Sequence, residues 1–232
     1  FTGITKEMLP TPCMVLDDAA FDRNIRKMAD YTKSVGMNVR PHVKIHKSPT
    51  VSKKQVELGA IGVCCATIAE CELLSESGVR NVLYNCQPAG LQKVGRVADL
   101  SKRDPSFIAV VDDPLTVDWL DEACGAVGTK LNVLVDVHAG LTRQGCEPGK
   151  PALAIAQKID KAKNLTFRGA MGYSGDASHT KGFQNRKQRS AADTAGLKET
   201  ADLCRKSGLR VDFVTGGSTG TYNIDKAKGR EE

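Results

Sequence analysis

The sequence predicts an α/β fold, a TIM-type (β/α)8 barrel, and we expect residues 1–232 to form a single domain. Short apolar runs rich in β-branched residues are each followed by a helical segment, at a spacing of about 20–40 residues that matches one βα unit. Runs such as 131–137 are apolar at almost every position, which is typical of parallel strands buried on both faces. An open, doubly wound sheet is the alternative, but no Gly-x-Gly-x-x-Gly turn follows an early strand.

The individual strands and helices follow from the same periodicities. Strands are expected at residues 11–17, 38–44, 62–66, 81–86, 107–113, 131–137, 165–173 and 211–217. Apolar residues recur at helical spacing in 18–35, 150–163 and 186–207. The last strand leads into a glycine-rich turn, and a phosphate site after strand 7 or 8 is typical of a barrel.

The composition is that of an ordinary globular protein and argues against several classes of function. The formal net charge is +6, but the basic residues are scattered and only 5% of residues are aromatic, so we expect no nucleic-acid partner. No apolar run of about 18 residues could span a membrane. The eight cysteines form no Cys-x-x-Cys pair and are expected to be reduced thiols. A cytoplasmic location is predicted, with an organelle as the alternative because the chain begins at Phe1.

The first candidate site residue is Lys44, in the run RPHVKIHK from Arg40 to Lys47. Side chains at the carboxyl ends of barrel strands line the active site, and Lys44 is predicted to lie at such an end. Burial there would lower the pKa of the amine and make it nucleophilic towards an aldehyde. Taken alone, however, a lysine is far more often an ordinary surface residue. We do not expect the flanking His42 and His46 to share a metal ion.

The second candidate is a glycine-rich turn. It consists of Thr215, Gly216, Gly217, Ser218, Thr219 and Gly220. Glycines allow backbone N–H groups to approach a phosphate closely, and the hydroxyl groups add donors. The Gly-Lys-Ser/Thr ending of a nucleotide P-loop does not follow. A flexible loop without a ligand is the alternative interpretation.

Two further strand ends carry polar residues. Asp136 closes a run of valines, and such a buried carboxylate is expected to pair with Arg143 or Lys44, either in a site or as a structural ion pair. Tyr173 ends the next strand. His179 in the following loop is a candidate general base, although a lone histidine is more often an ordinary loop residue.

Together these segments resemble one group of enzymes. The resemblance is carried by Arg40–Lys47, Thr11–Asp17, Arg23–Met28, Val63–Cys65, Val135–Val137 with Arg143–Gly145, Tyr173 with His179, and Val214–Tyr222. These are similar to D-threonine aldolases, D-threo-3-hydroxyaspartate aldolases and eukaryotic-type D-serine dehydratases. That group shares the alanine racemase-type fold of pyridoxal 5′-phosphate (PLP) enzymes, and the aldolases look closer.

The resemblance implies a role for each candidate residue. Lys44 would carry PLP as a Schiff base, Arg143 would approach the pyridine nitrogen, and Tyr173 would line the cofactor. The turn at 215–220 would hold the phosphate group. His179 would help to deprotonate the β-hydroxyl group of a D-3-hydroxy amino acid, so that the Cα–Cβ bond breaks. The implied function is a PLP-dependent lyase that converts D-threonine or 3-hydroxy-D-aspartate to glycine and an aldehyde.

The resemblance also implies parts that this sequence lacks. In the family, a last barrel strand and a C-terminal β-domain follow the glycine turn, and residues 11–17 belong to that β-domain. We therefore expect seven barrel strands with an open edge. The family's divalent metal, Mn²⁺ or Mg²⁺, is held by the β-domain, so no metal ligand is predicted in this chain.

The resemblance implies a small D-amino acid as the substrate, no membrane partner, and a homodimer for a full-length protein. Two alternatives to the aldolase remain. One is a D-serine dehydratase-like PLP enzyme, and the other is a non-catalytic, single-domain PLP-homeostasis protein, whose length fits but whose lysine context differs.

Overall fold

The fold is a sheet of six parallel strands covered by helices, in a computed structural model that describes residues 3–141 and 143–225. The strands are β1 (Val63–Cys65), β2 (Val82–Tyr84), β3 (Ile108–Val111), β4 (Leu131–Asp136), β5 (Leu165–Gly172) and β6 (Phe213–Gly216). The helices are α1 (Asp18–Ser34), α2 (Pro49–Glu57), α3 (Ile68–Glu76), α4 (Leu91–Arg103), α5 (Pro114–Val127), α6 (Lys150–Lys161), α7 (Gly175–His179) and α8 (Phe183–Lys206). The strands pair in chain order, so the sheet curls as a half-barrel, which confirms the predicted β/α barrel fold.

Apolar residues alternate between the two faces of the curled sheet. On β2, Val82 and Tyr84 join the main core between the strands and the helices. Leu83, between them, packs on the inner face in a smaller cluster with residues such as Leu134 and Met171. Side chains of successive strand residues point to opposite faces, so runs that are apolar at every position are needed to fill both layers.

The first predicted strand, 11–17, is wrong. This segment is extended but pairs with no strand in the described part of the chain, and its apolar residues Met14, Val15 and Leu16 are exposed. β-Branched residues favour a strand only where a neighbouring strand and a buried face are available.

The second predicted strand, 38–44, is shorter than expected. It lies beside β1 through a single parallel bridge between His42 and Cys64, and Cys64 N–H donates to the Pro41 carbonyl at 2.8 Å. The chain then forms a 3₁₀ turn at Val43–Ile45. The His42 side chain accepts a hydrogen bond from the Lys44 N–H, a local contact that favours the turn over further strand pairing.

The remaining predictions agree closely with the structure. Helices α1, α6 and α8 fall within the predicted ranges 18–35, 150–163 and 186–207, except that α8 begins earlier, at Phe183. On its far side β6 has no neighbouring strand among residues 3–141 and 143–225, so the expected open edge is present. No helix in the described residues is both long and apolar enough to cross a membrane.

Candidate active site

Lys44 lies in the 3₁₀ turn, with its side chain exposed. The expected burial of this lysine is therefore wrong. The turn directs Val43 into the core, where none of its surface is exposed, and this leaves Lys44 and Ile45 facing outward. The extended segment before the turn places the amine at the carboxyl edge of the sheet, where the sequence predicted it.

Tyr173 brings two cationic side chains together. The Nζ of Lys44 lies 5.7 Å from the centroid of the Tyr173 ring, and the Cζ of Arg143 lies 5.4 Å from the same centroid. Both distances allow cation–π attraction. Tyr173 follows β5 directly, whereas Arg143 lies in the loop after β4. Three predicted site residues that are distant in sequence thus converge on one ring.

His42 supports the turn that carries Lys44. Its Nδ1 accepts the Lys44 N–H at 3.2 Å. Burial, together with the positive charge of Lys44, lowers the pKa of His42 to about 4. The imidazole is therefore neutral at pH 7, and because Nδ1 is an acceptor, the proton resides on Nε2.

Asp136, the last residue of β4, is buried with only 2% of its surface exposed. The expected partner was Arg143 or Lys44, but the structure gives it two glutamines. Gln87 and Gln144 donate their Nε2 groups to the same oxygen, Oδ2, at 2.8 and 2.6 Å. Burial raises the pKa of Asp136 to about 7, and the nearby Asp112 also raises it. Sequence reasoning missed both glutamines, and the only available signal was that Gln144 adjoins Arg143.

The glycine turn is fitted tightly against β5. Gly216 pairs in register with Gly172, so the turn starts at the end of β5 that leads into Tyr173. A Cβ atom on Gly216 would lie 1.9 Å from the Gly172 carbonyl oxygen, which leaves room only for glycine. Gly217 has a φ of +75°, the left-handed conformation that glycine adopts without strain.

The far end of the turn is held by α7. The Gly220 N–H donates to Ser178 Oγ at 3.0 Å, and the hydroxyl groups of Ser178 and Ser218 are hydrogen-bonded to each other. Ser178 is a contact that the sequence did not reveal. Within the described residues, the N–H groups of Gly217 and Ser218 have no hydrogen-bond partner, so these two donors are available to a ligand.

One predicted site residue, His179, is not joined to this cluster by a side-chain hydrogen bond among the described residues. His179 ends α7 with its side chain exposed, and this side chain makes no hydrogen bond within residues 3–141 and 143–225. Its role as a base stays a prediction. In the described part of the chain, no group of three or more His, Cys, Asp and Glu side chains could hold a metal ion.

Residues 16–228 match the alanine racemase N-terminal domain. The chain belongs to this family. The resemblance drawn from the Lys44 run and the glycine turn is therefore confirmed at the level of family.

Within this family, the chain is similar to enzymes that act on D-amino acids. It is 37% identical over 228 residues to a 3-hydroxy-D-aspartate aldolase of Paracoccus denitrificans (strain Pd 1222), covering 98% of this chain and 59% of that protein. It is 32% identical to a D-threonine aldolase of Arthrobacter sp., covering 94% of this chain and 58% of that protein. It is 26% identical to a D-threo-3-hydroxyaspartate dehydratase of Delftia sp. (strain HT23), covering 92% of this chain and 56% of that protein.

A solved relative shares the barrel. The crystal structure of a D-threonine aldolase from Filomicrobium marinum superposes with a TM-score of 0.91 at 36% identity, over 94% of this chain and 59% of that chain. The chain thus spans less than two thirds of the length of these relatives.

Proposed function

We propose that this chain forms the cofactor-binding part of a PLP-dependent lyase that cleaves a D-3-hydroxy amino acid, D-threonine or 3-hydroxy-D-aspartate, to glycine and an aldehyde. The observation that carries the proposal is the meeting of the Lys44 amine and the Arg143 guanidinium on the Tyr173 ring, at the end of the strand that pairs with the start of the glycine turn. The similarity to D-threonine and 3-hydroxy-D-aspartate aldolases supports this class of reaction.

The residues of the site fit the aldehyde, the pyridine ring and the phosphate group of PLP. Lys44 offers an exposed primary amine for the aldehyde. Tyr173 and Arg143 offer an aromatic face and a permanent cation for the ring. The partnerless N–H groups of Gly217 and Ser218, with the hydroxyl groups of the turn at 215–220, suit a phosphate. When bound, PLP would supply the electron sink for Cα–Cβ cleavage.

The protein's own residues would then position the amine, contact the ring nitrogen and accept the substrate's proton. His42 is neutral and fixes the Lys44 backbone, so that the amine is presented from a defined turn. Arg143 holds its proton firmly and would keep the cofactor's ring nitrogen unprotonated. His179, exposed at the end of α7, would accept the proton of the substrate's β-hydroxyl group. We propose Mn²⁺ or Mg²⁺ and a homodimer for the whole protein, with the metal ligands outside the described residues.

Covalent attachment of the cofactor tests the proposal. Purified protein mixed with PLP is expected to absorb near ~420 nm, and borohydride reduction should fix the cofactor to the peptide that contains Lys44. Lys44→Ala should lose both signals because the amine is gone. Lys47→Ala is the matched control, since Lys47 instead forms an ion pair with Glu70 at 3.2 Å. Retention of the band and the label in Lys44→Ala would disprove the central role of this lysine.

A dehydratase is the second candidate, supported by the 26% identity to the Delftia dehydratase. The two reactions differ in product, because cleavage of the Cα–Cβ bond gives glycine whereas loss of the β-hydroxyl group ends in ammonia release. Assays of the whole protein with D-threonine, 3-hydroxy-D-aspartate and D-serine, each with added Mn²⁺, separate them. Ammonia without glycine would replace the aldolase by the dehydratase.

A further inference from the structure

A chain of buried polar contacts runs below the candidate site and starts at Asp136. Its Oδ2 accepts from two glutamine side chains, one in the loop after β2 and one in the loop after β4. Such a carboxyl group, with two amide donors aimed at one oxygen, ties the two loops to the end of β4. Buried donors of this kind are costly to leave without an acceptor, so the contacts hold the loops in place.

On one side, the contacts fix the loop that carries Arg143. Gln144, the next residue, donates to Asp136 Oδ2 and also to the Asn85 carbonyl at 3.0 Å. The following Gly145 N–H donates to Asp112 at 2.8 Å. The backbone beside Arg143 is therefore fixed at two successive residues, although the Arg143 side chain itself is exposed.

On the other side, the contacts reach the turn that carries Lys44. Gln144 donates to the Asn85 carbonyl, the Asn85 N–H donates to the Cys65 carbonyl at 3.0 Å, and the neighbouring Cys64 forms the parallel bridge with His42. His42 in turn accepts the Lys44 N–H. A continuous series of contacts thus links Asp136 to both Lys44 and Arg143.

We propose that Asp136 is a positioning residue that sets the placement of Lys44 relative to Arg143, and hence the affinity of the site for PLP. The inference rests on the proposed function and adds to it a residue that touches neither the cofactor nor the substrate. Its action runs through Gln144 to the Arg143 loop, and through Asn85, the end of β1 and His42 to the Lys44 turn.

The charge on Asp136 gives this role a pH signature. The groups that face it are the carboxyl of Asp112, the guanidinium of Arg143, and the thiols of Cys86 and Cys146, whose own pKa values are raised by burial. Burial and the charge of Asp112 raise the pKa of Asp136 more than the hydrogen bonds from the two glutamines and the charge of Arg143 lower it, so the carboxyl group changes its charge near pH 7. A carboxylate forms stronger hydrogen bonds with the two amide groups than a neutral carboxyl group does. The strength of the contacts that fix both loops therefore changes with pH.

The experiment measures the dissociation constant of PLP by absorbance titration of the purified protein from pH 6 to pH 8.5. Asp136→Ala removes the acceptor and is expected to weaken PLP binding roughly tenfold, the scale of one to two lost hydrogen bonds. Asp136→Asn keeps an acceptor oxygen but cannot ionise. It should restore most of the affinity while losing the part of the wild-type pH dependence that is centred near pH 7.

Asp104→Ala is the matched control. Asp104 is a carboxyl group with only 1% of its surface exposed, but it lies before β3, at the opposite end of the sheet, where it accepts from Ser106. Its removal should lower stability, change the affinity for PLP less than about twofold, and keep the wild-type pH profile, because no contact joins it to the site.

Two results would overturn the proposal. One is an Asp136→Ala variant that binds PLP as tightly as Asp104→Ala does, and the other is an Asp136→Asn variant with the wild-type pH profile. Should Asp136→Ala fail to fold, Gln144→Leu on the half-buried loop must show the weakened binding, and unchanged affinity there overturns the proposal equally. Absence of PLP binding in the wild type would instead reject the proposed function, and the positioning role with it.

Discussion

At the scale of single residues, Asp136 is held where its ionisation is unfavourable. Its pKa in the folded protein is about 7, against an ordinary value of 3.8. Between these two values the folded state binds more protons than the unfolded state. The contribution of this group to stability is therefore fully present below about pH 4 and is lost as the pH rises through 7.

Asp136→Asn removes this pH dependence because the amide does not titrate. As the pH rises from 4 to 8, the wild type loses stability that the variant keeps. The free energy of unfolding of the variant minus that of the wild type should therefore increase by about 2–4 kcal/mol over this range. Urea unfolding of the cofactor-free protein at several pH values measures the difference. A difference between the two proteins that stays constant across this range would contradict the prediction.

The sequence predicted which residues meet at the site better than it predicted how they are held. Lys44, Arg143 and Tyr173 converge as their positions after strands of one sheet and the family resemblance implied. The amide partner Gln87 lies 49 residues from Asp136, and no local pattern marks such a contact. The exposure of Lys44 was missed for a similar reason. Which residue of a 3₁₀ turn enters the core depends on the packing around Val43, which the run itself does not encode.

At the scale of secondary structure elements, the pairing of β5 with β6 depends on a close approach of two glycines. Gly216→Ala would place a Cβ atom against the Gly172 carbonyl, and backbone cannot give way as a flexible side chain can. We expect a loss of about 2–3 kcal/mol in free energy of unfolding and a loss of PLP binding, because the turn begins at this residue.

Gly95→Ala is the control for this substitution. Gly95 lies inside α4, and a Cβ there meets no atom within 4 Å. Alanine should stabilise this helix by about 0.5–1 kcal/mol, through its higher helix propensity. Thermal unfolding of both variants gives the comparison, and a Gly216→Ala variant as stable as Gly95→Ala would show that the turn can move aside.

The elements that were predicted correctly are those whose own pattern of apolar residues shows which of their faces are buried. Strands β1 to β6 are apolar on both faces or flanked by helices with a clear apolar stripe. Local periodicity was therefore enough to predict where these strands and helices lie. Residues 11–17 also contain a short apolar run but find no neighbouring strand among the described residues. Strand pairing is a contact between distant segments, and a single run cannot show whether its partner exists.

At the scale of the whole molecule, β6 has no neighbouring strand on one side among the described residues. Val214 in β6 has 46% of its surface exposed, beside backbone groups that pair on one side only. Such an edge promotes association by strand pairing. We expect this 232-residue chain to associate increasingly with concentration, and Val214→Lys to reduce the association, because lysine on an edge strand opposes pairing.

Sedimentation velocity over a range of protein concentrations measures this effect. The control is Leu115→Lys, which replaces an exposed apolar residue of α5 (52% exposed) by the same cation away from the edge. If both variants associate to the same extent, the effect of Val214→Lys comes from the change in net charge and not from its place on the edge strand.

The order of the strands also bears on how the chain folds during its synthesis. Since every strand pairs with its predecessor in the chain, each βα unit can dock on the preceding one as it leaves the ribosome, without waiting for distant segments. The Lys44 turn would take shape with the first units, and the glycine turn with the last. A ligand that contacts both, as we propose for PLP, would bridge the earliest and latest parts to fold and would stabilise the finished sheet by mass action.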